Sequence, residues 1–242
     1  MNSKSTQLKA GTILTYLQLA LSTVISLVYT PAMLRLLGQT EYGLYNIAAT
    51  VVSYVNLLNM GFASSYVRFY SRSKAKNDYE EIKRTNGLFL IVFIVIAILA
   101  LISGFVLAAS AELIFSNGLS VSEYAIAKKI IVILTISTAY DLGTSLFASM
   151  ITVHEEFIFL KTVNLIKTVL SPTLIWILLL NGYKSIMMAV VTSVLIIVAD
   201  TVYMFFCFTH LKVKLSFNNL SKDALIEISA FSGFIALNSV MK

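Results

Sequence analysis

Three stretches of this chain carry no Lys, Arg, Asp or Glu: Ala10–Leu34, Tyr42–Val67 and Thr85–Ala111. Each exceeds the roughly 20 residues that a helix needs to cross a hydrocarbon core of about 30 Å. A surface helix of a soluble protein keeps a charged face toward water. With 58% of residues hydrophobic and only 12% charged, the chain has too few charges to solvate a water-facing surface. Backbone groups in lipid are satisfied within their own segment, so the spans are helices. The fold class expected is an all-α, polytopic membrane helix bundle.

Six spans are expected, at about 10–34, 42–67, 87–109, 130–152, 157–180 and 185–208. A seventh apolar stretch starts near Ala224 and stops at Lys242, short of a comfortable crossing. Its stripe of Ser229, Ser232, Ala236 and Ser239 repeats the small-polar stripe of the first span, the pattern an internal repeat produces. The expected organisation is a six-helix N-terminal lobe over 1–215, then a linker and the start of helix 7 over 216–242, with a second lobe cut off.

The net charge of +6 could suit nucleic acid, but the placement of the charges excludes it. Lys4 and Lys9, then Arg72, Lys74, Lys76, Lys83 and Arg84, then Lys212, Lys214 and Lys222 fall in alternate loops. That is the positive-inside pattern, and it puts the N-terminus in the cytoplasm. Lys128 and Lys129 are outer-side exceptions. Cys207 stands alone, so neither an intramolecular disulfide nor a cysteine metal site can form. The first apolar stretch is too long for a signal-peptide core, which makes it an uncleaved span.

Polar residues inside the spans are the candidate functional groups, because lipid penalises them. In span 1, Gly11, Thr15, Gln18, Ser22, Ser26 and Tyr29 recur at helical steps and share a face. That face is either a packing seam or the wall of a water-filled cavity; Gln18 at mid-depth favours the cavity. Pro31 is expected to kink or end that helix. Asn46, Asn56 and Asn59 of span 2 should face protein or water. Span 3 should face lipid for much of its circumference. Asp141 lies near the middle of span 4, Lys167 two to three turns inside span 5, and Asp200 in the inner half of span 6. Asp141 is either a functional acid or a structural partner of a neighbouring helix. Lys167 must snorkel, pair or face water. Pro172 predicts a kink.

No phosphate-cradling glycine loop of the Walker type occurs, and no G-x-G-x-x-G precedes a helix. His154 and His210 both sit near cytoplasmic ends, so no Ser-His-Asp set is available. The sequence gives no reason to expect an enzyme, a cofactor or a metal.

The connection between the first two spans reads Leu36-Leu37-Gly38-Gln39-Thr40-Glu41-Tyr42-Gly43-Leu44-Tyr45. It is a helix stop, a turn and a helix start: Gly38 can take a positive φ, Thr40 can cap the next helix, and Glu41 suits its first turn. On these residues alone it is a short loop without chemistry. Together with Gly61-Phe-Ala-Ser-Ser-Tyr-Val-Arg68-Phe, this L-G-x-x-E-Y-G-L-Y turn resembles the Wzx-like polysaccharide biosynthesis flippases. These belong to the multidrug/oligosaccharidyl-lipid/polysaccharide exporter superfamily. Gly38, Glu41, Tyr42 and Gly43 carry the resemblance, which is specific over spans 1 and 2 and generic beyond.

The resemblance implies a two-lobed bundle in the bacterial cell membrane. It implies export of undecaprenyl-diphosphate-linked oligosaccharide repeat units to the outer leaflet by alternating access. Membrane lipid, a polysaccharide polymerase and glycosyltransferases are the other implied partners. A cationic cavity would attract the diphosphate, which nominates Arg68, Lys167 and, at the outer end, Arg35, with Gln18, Asn56 and Asn59 as polar substrate contacts. Asp141 and Asp200 are the candidates for ion coupling. Lipid II flippases of the same superfamily carry arginines on the cavity face of helix 1, where this chain has Gln18; that favours a surface-polysaccharide substrate. The alternatives are a cation-coupled drug or metabolite antiporter and a non-transporting membrane scaffold or fragment.

Overall fold

The computed structural model describes residues 4–59, 61–111, 120–218, 228 and 230–232. The described residues form helices joined by short turns, with a non-helical segment over 211–218 after the last long helix. Helix α1 spans Lys4–Ser53, followed by a 3-10 helix at Tyr54–Asn59 and α2 at Phe62–Ala75. Then come α3 (Tyr79–Ala109), α4 (Val121–Val153), α5 (Phe157–Leu180) and α6 (Ser185–Thr209). The chain is an all-α, polytopic membrane protein: among the described residues, five helices are long and apolar enough to cross a bilayer. That differs from the six spans and a seventh start expected above. The first two expected spans belong to one assigned helix, α1, and most of 224–241 lies outside the described residues. Ser116-Asn117-Gly118, which reads in the sequence as a turn signal, also lies outside the described residues.

Helix α1 is nevertheless not straight. At Gly38 the backbone has φ 80° and ψ 163°, a conformation essentially reserved for glycine. The contacts on either side show that the chain reverses there. The first arm begins beside the start of α5, where Gln7 Nε2 donates to Glu156 at 2.9 Å. It ends against Ile175, Leu179 and Met188, through Met33. The second arm starts beside the first residue of α6, where Glu41 meets Ser185. Its continuation, α2, passes Tyr70, whose Oη lies 3.1 Å from His154 Nε2 at the end of α4. Pro31 does not end the first arm; the helix continues through it to Gly38.

Span 2 departs from the uniform helix expected. It changes to a 3-10 helix at Tyr54–Asn59 and resumes as α2 after a left-handed Gly61 (φ 92°). The concentration of Asn56, Asn59 and Gly61 is the physical cause, since all three are poor helix formers.

Helix α4 is the centre of the bundle. It is the most buried of the long apolar helices, whereas Gly11 and Met33 are the buried residues of the first arm, and its main neighbours are α3 and α6. A capping box starts it: Ser120 N–H donates to Glu123 Oε2 at 2.8 Å. Against α3 the approach is close at Gly104, where a Cβ would come within 2.2 Å of Thr135 Cγ2. Toward the end holding His154, Phe89, Phe93, Leu146 and Met150 pack with Tyr66 and Cys207. Toward the other end, Ala48, Val52, Ile130 and Ile131 pack with Ala189. Ile91, Ile94, Val95, Ile98, Leu99, Ile102, Phe105 and Val106 of α3 are exposed at helical steps. This is the lipid-facing stripe expected of span 3.

Candidate functional site

The two aspartates and the lysine met separately along the sequence come together inside the bundle. Asp141 lies 12 residues before the end of α4, Lys167 ten residues into α5, and Asp200 nine residues before the end of α6. At 1.5 Å per residue these offsets place all three about 14–18 Å from the same end, close to half the thickness of a hydrocarbon core. The carboxyl groups of Asp141 and Asp200 interact with one another, and each feels the Lys167 ammonium. Thr144, whose Oγ1 donates to the Tyr140 carbonyl at 2.7 Å, lies beside Asp200, and Tyr203 is close enough to feel both acids.

Asp200 is buried, and its Oδ2 has no hydrogen-bond partner among the described residues. Buried polar atoms are paired in the great majority of cases. An unpaired carboxylate oxygen at this depth can accept a proton, a cation or a hydroxyl donor. Two carboxylates facing one ammonium also leave one negative charge uncompensated when all three are ionised. The arrangement therefore supplies a place where one positive charge can be taken up in the middle of the membrane.

The polar region extends toward α1 and along α6. Gln18 Nε2 donates to Thr168 Oγ1 at 3.4 Å, next to Lys167 in sequence. Ser193 Oγ donates to Ser137 Oγ at 2.9 Å, and Tyr140 Oη lies 2.8 Å from Thr201 Oγ1. The other nominated residues are elsewhere. Arg35 is exposed, near the Gly38 turn. Arg68 is exposed toward the opposite end, with its guanidinium 4.0 Å above the Phe231 ring. Asn56 is exposed in the 3-10 helix, while Asn59 Oδ1 is buried without a partner among the described residues. Lys167 thus lies within electrostatic range of two acids, and the three cations nominated for a diphosphate do not converge in this arrangement.

The Gly38–Tyr45 turn has a structural task. The Glu41 carboxylate accepts a hydrogen bond from Ser185 Oγ and lies 3.6 Å from Lys184 Nζ. Ser185 opens α6, so the acid sits at the positive end of that helix dipole. Tyr42 packs with the Met33, Ile175 and Leu179 cluster. An added Cβ at Gly43 would meet nothing within 4 Å, so nothing in the structure explains that glycine.

Gln7 plays the corresponding part at the other end of the bundle. Its Oε1 accepts from Ile158 N–H at 3.0 Å, capping α5 from outside. Sequence reasoning placed Thr144 on the Asp141 face of its span but passed over Gln7 and Tyr203. Gln7 sits in a polar leader with no motif, and Tyr203 is a common residue on a helix face.

Among the described residues no three His, Cys, Asp or Glu side chains gather to hold a metal ion. No curated protein sequence matches the chain. Solved structures match its fold closely. A crystal structure of MATE in complex with MaD3S aligns with TM-score 0.78 at 14% identity, over 98% of this chain and 54% of that one. The outward-facing conformation of a multidrug resistance MATE family transporter of the MOP superfamily aligns with TM-score 0.79 at 14% identity, over 98% and 53%. The chain spans about half the length of these transporters. Over residues 8–242 it matches the family described as polysaccharide biosynthesis protein, and to that family the chain belongs.

Proposed function

We propose that the whole protein exports lipid-linked oligosaccharide repeat units across the bacterial cytoplasmic membrane for surface polysaccharide biosynthesis. The observation that carries this reading is the family match over residues 8–242, joined to a charged cluster at mid-membrane depth. In this reading the two arms of α1 are separate crossings, the chain crosses six times from a cytoplasmic N-terminus, and a seventh helix begins after residue 216. Transport proceeds by alternating access against a second lobe. The substrate is an undecaprenyl-diphosphate-linked oligosaccharide, handed over by glycosyltransferases and passed to a polymerase.

Lys167 is then held by Asp141 and Asp200 until a proton or cation binds the acids and releases its charge toward the diphosphate. Gln18, Asn56, Asn59, Arg68 and Arg35 contact the substrate as the lobes rock. Deleting the intact gene should leave lipid-linked repeat units on the inner leaflet, with surface polysaccharide lost. Normal surface polysaccharide in a clean deletion without a redundant exporter rejects the reading.

One observation favours a second reading, a cation-coupled antiporter of small molecules: two acids share one lysine, so the cluster suits a positive charge. In that case the deletion strain becomes sensitive to cationic compounds while its polysaccharide stays intact.

A further inference from the structure

The end of the bundle that holds Lys4 and His154 contains a second feature, well away from Asp141 and Asp200. A cavity of about 520 Å³ opens between α2, α3 and the segment after α6. That volume is within the usual range for small-molecule sites. Its wall carries Lys74 from α2, Lys83 from α3, and Lys212 and Lys214 from the segment after α6, with no acidic residue among the lining side chains. Ile82, Leu211 and Val213 supply an apolar floor, and Tyr79 at the rim is 71% exposed.

The lysines are positioned by the fold. Asn86 accepts from Tyr66 Oη at 2.8 Å and donates to the Lys214 carbonyl at 3.1 Å. Ser216 N–H donates to the Lys83 carbonyl at 3.0 Å. These bonds pin the segment after α6 onto α3. Lys212 holds a left-handed backbone (φ 50°), a conformation that a long side chain adopts only when its surroundings impose it. Lys83 Nζ is engaged by Glu80 at 2.6 Å, and Lys74 lies 5.8 Å from the Tyr70 ring centroid. His154 Nδ1 lies 2.7 Å from the Met150 carbonyl and Nε2 3.1 Å from the Tyr70 hydroxyl, and burial favours its neutral form. The cationic character therefore rests on Lys74, Lys212 and Lys214.

Ammonium groups above an apolar floor, at a membrane-proximal end, match an amphiphile with an anionic head. Basic pockets between transmembrane helices recognise phosphorylated lipid headgroups in this way. We propose that the cavity binds phosphate groups, presented by the headgroup of an anionic membrane lipid. The site is separate from the Asp141–Lys167–Asp200 cluster and does not depend on the export reading.

The test is native mass spectrometry of the full chain in detergent, incubated with phosphatidylglycerol, with phosphatidylcholine as the zwitterionic control. Lys74→Gln/Lys212→Gln/Lys214→Gln should lower phosphatidylglycerol retention by about tenfold or more, since each lysine near an anionic surface contributes substantially. Lys128→Gln/Lys129→Gln, at the opposite end of α4, should leave it unchanged. Replacing the three lysines by arginine should preserve retention, which separates loss of charge from loss of fold. Equal retention in the glutamine variant, or an equal drop in both glutamine variants, overturns the site. Displacement of the lipid by inorganic phosphate overturns the lipid as source and assigns the cavity to a soluble phosphate. Retention is read without transport, so failure here leaves the export reading untouched.

Discussion

Asp141, Lys167 and Asp200 act electrostatically as one unit, and their separate replacement should show it. Removing one charge from the cluster leaves the others less well compensated in a region of low dielectric. Lys167→Met alone should therefore lower the unfolding temperature in detergent markedly. The triple variant Asp141→Asn/Lys167→Met/Asp200→Asn should recover most of the loss. Equal melting of the single variant and the parent protein would dissolve the cluster as a unit. A second group responds to pH. Burial holds His154 below its ordinary value near 6.5, so the folded state prefers the neutral ring. Stability from this group is present above the unfolded value and is lost as pH falls below it. Melting curves between about pH 5 and 7 should show falling stability on acidification, with a shallower slope in His154→Gln. The sequence exposed each of these residues as an anomaly of charge or position. It could not pair Asp141 with Asp200, because their meeting depends on the rotational setting of α4 and α6, to which no local pattern answers.

Among the helices, α3 and α4 carry the closest contact. The Thr135 side chain fills the space that a Cβ on Gly104 would need. Gly104→Ala should destabilise by about 1–3 kcal/mol, the usual cost of overpacking. Thr135 Oγ1 is buried without a partner among the described residues, so Thr135→Ala should be tolerated alone and should recover part of the Gly104→Ala loss. Thermal unfolding of the two single variants and the double variant measures both effects; independent, additive losses would reject the contact. The lipid stripe of α3 was legible from its unbroken apolar run, and the reversal at Gly38 from the turn residues. The 3-10 interruption at Tyr54–Asn59 was not. Asn56 and Asn59 read as membrane-polar residues, and their poor helix propensity was outweighed by the length of the apolar stretch around them. The Glu41 clamp on α6 was hidden for another reason: its partner lies 144 residues away in sequence.

For the whole molecule, the topology can be tested directly with a membrane-impermeant thiol reagent. Cys207 is fully buried and contributes little background. Lys76→Cys should label only from the cytoplasmic side and Asn181→Cys only from outside, if the chain crosses as proposed. Labelling of both from one face would reject the arrangement. Fold class was legible because composition and charge segregation act over the entire length of the chain. The reversal at Gly38 divides α1 into two arms over the two stretches where the first two spans were expected. One asymmetry in this architecture has a mechanical meaning. In the first arm Gly11 and Met33 are the buried residues, and the arm runs alongside α5, while α3, α4 and α6 share the dense packing. Lifting the arm would break the Gln7 and Gln18 bonds to α5 yet spare the aromatic core around Phe89 and Phe93. A swing of the arm about the Gly38 reversal would also take Met33 from Met188 and Val191 of α6, and would uncover Thr168 where Gln18 now meets it.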